Sequence, residues 1–307
     1  MANQKEVRSR IASIKNINKI TRAMEMVAAA RLRRSEQRIA ALRPYAEGMR
    51  KLTRLAAEQA GGLPRVPVLD EHDEVKRVGV VLVTGDRGLA GAFNTNVIRE
   101  GVRVRDRVRG EGAEATFSVV GRKGVSALTF RKLDVRTSYV GFTDRPAFAN
   151  AREIGEELTA RYIEEDLDRV ELVYNRYVSP LTQHVWRQTL LPLQRADVIG
   201  EGAEEDGAEE GEQTEAERAQ SRSDWEYEPE PEELLERLIP EYVTISVYRA
   251  LLESAASELG ARMTAMRNAA ENAETMMDDL TLEMNRVRQA EITQEILEVV
   301  AGAEALG

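Results

Sequence analysis

Apolar residues in the last third of the chain alternate at steps of three and four. From Leu252 onward they stand at Ala256, Leu259, Met263, Met266, Ala270, Ala273, Met277, Leu280, Met284 and Val287. Such spacing over about five heptads is typical of a coiled-coil seam, and its small and flexible side chains favour close, adaptable packing. After Val287 the apolar positions shift to Ile292, Ile296 and Val299. We therefore expect this helix to lose or change its partner near that point.

The first 60 residues carry a second helical pattern. Good helix formers dominate them. One apolar stripe is predicted at Val7, Ile11, Ile14, Ile17, Ile20, Met24 and Val27. Pro44 and Gly48 interrupt this pattern, but it resumes at Met49, which predicts a kink rather than an end. Gly61-Gly62-Leu63-Pro64 is expected to end the helix.

The region between the two helices has the pattern of an α/β domain. Short β-branched runs predict strands at Arg77–Thr84, Ala115–Gly121, Arg169–Val178 and Gln183–Leu193. Helical patterns near Asn94–Arg109 and Pro146–Asp166 alternate with them, which favours a mostly parallel sheet. The predicted division of the chain is an N-terminal coiled-coil helix (1–60), a Rossmann-like α/β domain (70–195), an acidic loop (196–223), a short returning strand (224–231) and a C-terminal coiled-coil helix (232–307).

The predicted lengths of the terminal helices set the architecture. At ~1.5 Å per residue they measure about 80 and 90 Å. A compact globule of this size has a diameter of only about 50 Å. The helices must therefore protrude together. The sequence predicts a long antiparallel two-helix coiled coil, built from both termini, with the α/β domain at its base.

Composition and charge narrow the possible chemistry. The chain has no cysteine, and its two histidines, His72 and His184, lie far apart, which excludes disulfides, thiolate sites and clustered histidine metal sites. No apolar run is long enough for a membrane span or a secretory signal. Residues 1–60 carry a net charge of +9 and residues 197–236 one of −15. The core of this stretch, residues 201–224, contains no Val, Ile, Leu, Phe or Met, and the stretch is expected to form a disordered acidic loop.

Sequence motifs offer few candidates for catalysis. The glycine-rich segment 85–91 follows a strand but fits neither common phosphate-loop motif, so we interpret it as a tight βα turn, with a nucleotide site as the alternative. Asp278 and Asp279 point in different directions on a helix and cannot share a site. The basic N-terminal helix has no aromatic residue before Tyr45, which favours an acidic protein surface over nucleic acid or lipid. We expect no catalytic residue, cofactor or metal.

Three segments resemble a known family. They are IASIKNINKITRAMEMVAAARLRRSEQR, TGDRGLAGAFNTN and ARMTAMRNAAENAETMMDDLTLEMNRVRQAEITQEILEVVAGAEAL, and they are similar to the gamma subunit of F-type ATP synthases. The resemblance implies a central rotor shaft that couples proton-driven rotation of the c-ring to conformational change at the catalytic beta subunits, for ATP synthesis or, in reverse, proton pumping. It implies partners in the alpha and beta subunits, the epsilon subunit and the c-ring, and no catalysis by the chain itself.

The resemblance also implies contact residues. Met24, in TRAMEMV, and the nearby Arg34 look like the part of the shaft that faces mobile loops of the beta subunits. Polar positions expected to contact the surrounding alpha and beta subunits are Arg262, Gln289, Thr293 and Glu295. The alternatives are plain packing for Met24 and an intrahelical pair with Glu258 for Arg262.

The same resemblance implies a place in the cell. Because it starts at residue 2, we expect no transit peptide, and a peripheral position on the cytoplasmic side of a bacterial plasma membrane. The chloroplast form's disulfide regulation is excluded without cysteine, and the acidic loop is longer than usual for the family. Two other hypotheses are a structural coiled-coil adaptor with a Rossmann-like module and a nucleotide-binding enzyme. One copy purifying among several alpha and beta copies would favour the rotor.

Overall fold

The computed structural model describes residues 4–60, 62–194, 198 and 230–305. A short 3₁₀ helix, Pro67–Leu69, follows the first long helix. The main elements in chain order are α1 (Gln4–Gln59), β1 (Arg77–Val83), α2 (Phe93–Gly110), β2 (Glu114–Val120), α3 (Arg122–Phe130), β3 (Val135–Tyr139), α4 (Phe148–Ile163), β4 (Arg169–Tyr177), β5 (Gln183–Leu191) and α5 (Pro231–Ala305).

The two terminal helices form an antiparallel pair, which we call the shaft. With 56 and 75 residues, α1 and α5 are about 80 and 110 Å long. The amide of Gln4 donates to Glu291 near the far end of α5. Leu32, later in α1, packs against Leu259, which comes earlier in α5. Together with the central sheet, this pairing confirms the predicted fold class.

The seam of α5 follows the predicted heptads. Its positions are buried from Leu252 to Ala273 and half-buried from Met277 to Val287. Beyond Glu291 the helix extends past Gln4, the first described residue of α1, and its apolar side chains there are exposed. The change of register after Val287 therefore coincides with the end of the described pairing.

The apolar stripe predicted on α1 is wrong at three positions beyond Ile14, although Met24 is half-buried. Three of its members are about half exposed: Ile17, Ile20 and Val27. The residues that are buried instead are Asn18, Thr21 and Ala28. The amide of Asn18 donates a 2.8 Å hydrogen bond to the carbonyl of Ala270, which satisfies a polar group inside the seam. The helices thus meet through small and polar side chains, and part of the apolar stripe lies on the outer surface.

The central domain is a five-stranded sheet in the order β3-β2-β1-β4-β5. The first four strands are parallel and β5 joins the edge antiparallel to β4. Every residue of β1 after Arg77 is buried, as expected for a parallel strand covered on both faces. Sequence patterns missed α3 and β3, a short helix and a half-exposed edge strand.

Helices cover both faces of this sheet. Helices α2 and α3 pack on one face, and α4 packs on the other together with the first part of α5. Helix α5 is therefore part of the domain core at its beginning and part of the shaft farther on. The predicted loop 196–223 lies outside the described residues apart from Val198. The predicted strand 224–231 also lies outside them up to residue 229, and its last residue, Pro231, is instead the first residue of α5.

Candidate functional site

The residues expected to contact other subunits fall into two groups along the shaft. Gln289, Thr293 and Glu295 lie exposed near the free end of α5, where the Thr293 hydroxyl donates to the Gln289 carbonyl at 2.8 Å. Met24 and Arg34 lie on α1, half-buried and exposed respectively. Arg262 lies about 40 Å below Gln289 along α5, close to the central domain.

The structure brings Met24 near Arg262. Glu25, the neighbour of Met24, accepts a 2.8 Å hydrogen bond from Arg267 of α5. Met24 and Arg262 are therefore within about two helical turns of each other along the shaft. Arg34 lies nearby, because Leu32 contacts Leu259. These three residues surround the point where the shaft leaves the domain.

Arg262 has internal partners at this point. Its guanidinium donates to the Glu258 carboxylate at 2.5 Å and to the carbonyl of Gly88 at 3.2 Å. The side chain of Arg262 is 12 % exposed and that of Glu258 is 4 % exposed. The intrahelical pair that the sequence offered as an alternative is thus present. Burial raises the pKa of Glu258, while Arg262 partly offsets this effect.

The Gly88 carbonyl belongs to the loop between β1 and α2, which is the glycine-rich segment 85–91. Gly85 lies against Glu258, since a Cβ on Gly85 would come 2.8 Å from that carboxylate. Gly91 has a φ of +54° and faces Ala265 of α5. The predicted βα turn is present, and its glycines allow α5 to approach closely.

Asp86 fixes this turn to two neighbouring segments. Its carboxylate accepts hydrogen bonds from the amides of Gly141 at 2.9 Å and Thr143 at 3.2 Å, and from Arg122 at 3.1 Å. Burial alone would raise the pKa of Asp86, but these hydrogen bonds outweigh it and hold the pKa below its ordinary value. The β1–α2 loop therefore moves together with the β3–α4 loop.

Helix α1 reaches the same place through Asp144. Arg31 of α1 and Arg87 of the β1–α2 loop both lie 3.7 Å from the Asp144 carboxylate. Both pairs are partly exposed and each contributes little stability alone. We call the set of contacts formed by Arg31, Asp86, Asp144, Glu258 and Arg262 the shaft–domain junction.

The start of α3, where parallel sheets often bind phosphate, is occupied by the chain itself. The amide of Arg122 donates to Asp86, that of Lys123 to the Gly85 carbonyl, and that of Gly124 to the Thr84 hydroxyl. Among the described residues, no three acidic, histidine or cysteine side chains are placed to hold a metal ion. Within the same ranges, no helix is both long and apolar enough to cross a bilayer.

Comparison with known proteins decides the family. The family model described as ATP synthase matches residues 3–306. The ATP synthase gamma chain of Rubrobacter xylanophilus is 44 % identical over 306 residues, which cover 100 % of this chain and 99 % of that one. The chain belongs to the ATP synthase gamma chain family. The gamma chain of a Cyanothece species is 42 % identical, with both chains fully covered.

Solved structures agree with this membership. A chain from the central stalk and c-ring of the Tetrahymena thermophila mitochondrial ATP synthase is 27 % identical, with a TM-score of 0.57, over 81 % of this gamma chain and 99 % of that chain. A chain from the Euglena gracilis mitochondrial ATP synthase has a TM-score of 0.68 at 22 % identity, over 99 % and 94 % of the two chains, and shows the shared fold. Family membership confirms the resemblance and favours the central rotor shaft over the structural adaptor.

Sequence reasoning missed most of the junction in this gamma chain. Glu258 appeared only as a possible partner of Arg262, and neither Asp86 nor Asp144 was singled out. A signal did exist, because Asp86 follows the end of β1 and Asp144 follows the end of β3. Polar residues just after parallel strands gather at one edge of the sheet.

Proposed function

We propose that this gamma chain, the central rotor shaft of an F-type ATP synthase, transmits torque as one stiff body between a membrane ring and the catalytic subunits. The carrying observation is the shape: a two-helix shaft about 80 Å long carries a domain packed against its lower part. Such a body is lopsided about its long axis. As the shaft turns, each surrounding catalytic site would meet a different face of it and so have a different contact energy. Such differences in contact energy shift a site between states of different affinity.

Uncovered apolar side chains support a surrounding partner. Ile17, Ile20 and Val27 are each more than half exposed on α1. Exposed residues near the end of α5 include Ile296, at 58 %, and Val299, at 71 %. Large apolar side chains that are exposed at several levels of the shaft are consistent with a partner protein around it. Its position on the upper shaft supports enclosure by the hexamer of alternating alpha and beta subunits.

The remaining partners follow from the same assignment. The base of the chain would rest on the epsilon subunit and the c-ring, and the chain would contact the membrane only through that ring. We place the complex on the cytoplasmic side of a bacterial plasma membrane. The gamma chain itself would act by shape and contact, without catalysing a reaction and without binding nucleic acid.

Contact with the stator is proposed for five of the expected residues. Met24, Arg34, Gln289, Thr293 and Glu295 all leave at least part of the side chain accessible on the shaft. Arg262 differs, because its side chain is only 12 % exposed and its guanidinium binds Glu258 and the Gly88 carbonyl. We therefore assign it to the shaft–domain junction, which is taken up below.

Rotation can be observed directly. The chain has no cysteine, so a Ser126→Cys substitution on the exposed face of α3 gives a single attachment point for a bead or gold particle. With the alpha–beta hexamer fixed to glass, ATP should drive unidirectional turning in three steps per revolution. A particle that stays still while the complex hydrolyses ATP at its full rate would refute the rotor.

The proposed contact of Met24 with the surrounding subunits can be tested by introducing a charge there. Met24→Lys places an ammonium group in a half-buried position on the shaft. We expect the amount of assembled complex to change little while ATP-driven proton uptake by inverted vesicles falls. Equal losses of assembly and uptake would show that Met24 serves packing alone.

A further inference from the structure

We propose that Glu258 is a positioning residue for torque transfer: with Arg262 it fixes the angle at which the central domain sits on the shaft. The inference rests on the proposed rotor function and identifies the contact that holds the central domain to the shaft. It concerns the junction between α5 and the β1–α2 loop, about halfway along α5.

Apolar packing alone defines this angle poorly. Burial of apolar surface holds α5 against the sheet, but the hydrophobic effect has no preferred direction. A small sliding motion of α5 along the sheet therefore changes the free energy of burial only slightly. Hydrogen bonds have both a length and a direction. Polar contacts such as those at the junction can therefore set the angle between domain and shaft.

Glu258 and Arg262 connect the two bodies through a short chain of contacts. Arg262 bridges the Glu258 carboxylate, at 2.5 Å, and the Gly88 carbonyl, at 3.2 Å. Without Glu258, the guanidinium would lose the partner that orients it toward the loop. Because both side chains are nearly buried, removing either one leaves the other charge without its partner in a poorly solvated place.

The loop that receives this contact cannot yield easily. Asp86 ties it to Gly141 and Thr143 of the β3–α4 loop, and Gly85 is in close contact with the Glu258 carboxylate. The loop therefore cannot follow the shaft on its own, and a tilt of the whole domain would break the Arg262–Gly88 hydrogen bond and the Arg31–Asp144 ion pair. The junction holds the end of the sheet to α5 on the side where the shaft emerges.

A second glutamate–arginine pair on the same helix offers a control. Glu253 is 6 % exposed and accepts a 2.8 Å hydrogen bond from Arg249, also four residues away. The two pairs share their chemistry, their spacing and the burial of the carboxylate, although Arg249 is 40 % exposed and Arg262 only 12 %. Glu253 does not contact the β1–α2 loop in any hydrogen bond or ion pair described for it.

The experiment compares Glu258→Gln with Glu253→Gln in the complete ATP synthase in inverted membrane vesicles. ATP hydrolysis and ATP-driven proton uptake are measured together. We expect Glu258→Gln to retain hydrolysis and to lower proton uptake per ATP about two-fold or more, since a neutral amide oxygen accepts a weaker hydrogen bond than the carboxylate and orients Arg262 less firmly. Glu253→Gln should keep the wild-type ratio. A wild-type ratio in Glu258→Gln would overturn the proposal.

A reversible cross-link separates positioning from general damage. A Cβ on Gly91 would lie 3.8 Å from the Cβ of Ala265, which suits a disulfide. Gly91→Cys with Ala265→Cys, oxidised, should restore the ratio in Glu258→Gln, and reduction should lower it again. Because Gly91 has a left-handed φ, the single Gly91→Cys variant serves as the control for strain.

The same disulfide tests the proposal even if the Glu258→Gln chain does not assemble into the complex. In an otherwise unchanged chain, the oxidised pair should leave proton uptake per ATP at its wild-type value, because the junction stays fixed during rotation. A drop on oxidation that reverses on reduction would mean that the junction has to move, and would refute the proposal. Failure of the rotor function itself is distinct, since the wild-type chain would then support no coupled uptake at all.

Discussion

Asn18 should stabilise the shaft although it is a polar residue in an apolar seam. It is 8 % exposed, and its amide donates to the Ala270 carbonyl across the interface at 2.8 Å. Replacing it by Ala removes one buried hydrogen bond, which costs about 1 kcal/mol. Asn18→Asp costs more, about 2–3 kcal/mol at neutral pH, because a carboxylate would then face a carbonyl oxygen and neither group can donate.

Asn16 provides the control, since it is the same residue type two positions away and is exposed. Asn16→Ala and Asn16→Asp should change the free energy of unfolding by no more than about 0.5 kcal/mol. The measurement is urea unfolding of the full-length chain, followed by circular dichroism at about 222 nm, with an unchanged dependence on urea concentration. Equal effects at the two positions would refute the seam described here.

The pH dependence gives an independent check on Asn18→Asp. Burial would raise the pKa of the introduced carboxyl in the folded state above its unfolded value of about 3.9. The penalty is therefore complete above the folded pKa and disappears as the pH falls below the unfolded one. Measured against Asn16→Asp, the Asn18→Asp variant should regain stability on acidification. A difference that stays constant with pH would contradict burial of this side chain.

Two further predictions concern the central domain. Asp168 accepts hydrogen bonds from the amides of Lys76 at 2.8 Å and Arg77 at 2.7 Å; burial alone would raise its pKa, but these bonds lower it overall. The stabilisation by ionised Asp168 is complete above the pKa of this group in the unfolded state and is lost as the pH falls through its lower pKa in the folded state. The free energy of unfolding should therefore fall more steeply on acidification in the wild type than in Asp168→Asn. Gly121 has a φ of +94° and a Cβ there would come 2.3 Å from the Thr84 carbonyl oxygen, so Gly121→Ala should cost about 3 kcal/mol or more by urea unfolding. Gly112→Ala, at a φ of +87° with open space around it, should cost only about 1–2 kcal/mol, and similar losses at both glycines would count against the close contact.

The sequence predicted the seam of α5 because its outer face is polar, so only one stripe of the helix could be buried. In α1 two neighbouring stripes compete. The apolar one, which includes Ile17 and Val27, looks more suitable for burial than the one containing Asn18. Which stripe meets α5 depends on the partner helix, whose Ala270 and Ala273 leave room for small and polar side chains. A single helix cannot supply that information.

Local sequence patterns also explain which strands of the central domain can be predicted from the sequence. Strands β1 and β4 each contain a short apolar run rich in valine and leucine, and these runs identify the strands without any partner. Strand β3 has only five residues, two of them exposed, so its pattern is too short to stand out. The junction was harder still. The spacing of Glu258 and Arg262 predicts an intrahelical pair, but the contact with Gly88 joins residues 174 positions apart and depends on the whole fold.

The unaccompanied end of α5 has a geometric consequence. Residues 292–305 continue for about 20 Å beyond the level of Gln4 as one helix of about 10 Å diameter. A lone helix is nearly round in cross-section, whereas two helices side by side make an oblong about twice as wide as it is thick. Orientation can be sensed only where the outline is oblong. Beyond the described part of α1, the end of α5 therefore presents nearly the same outline in every direction, whereas the two-helix stretch below it does not.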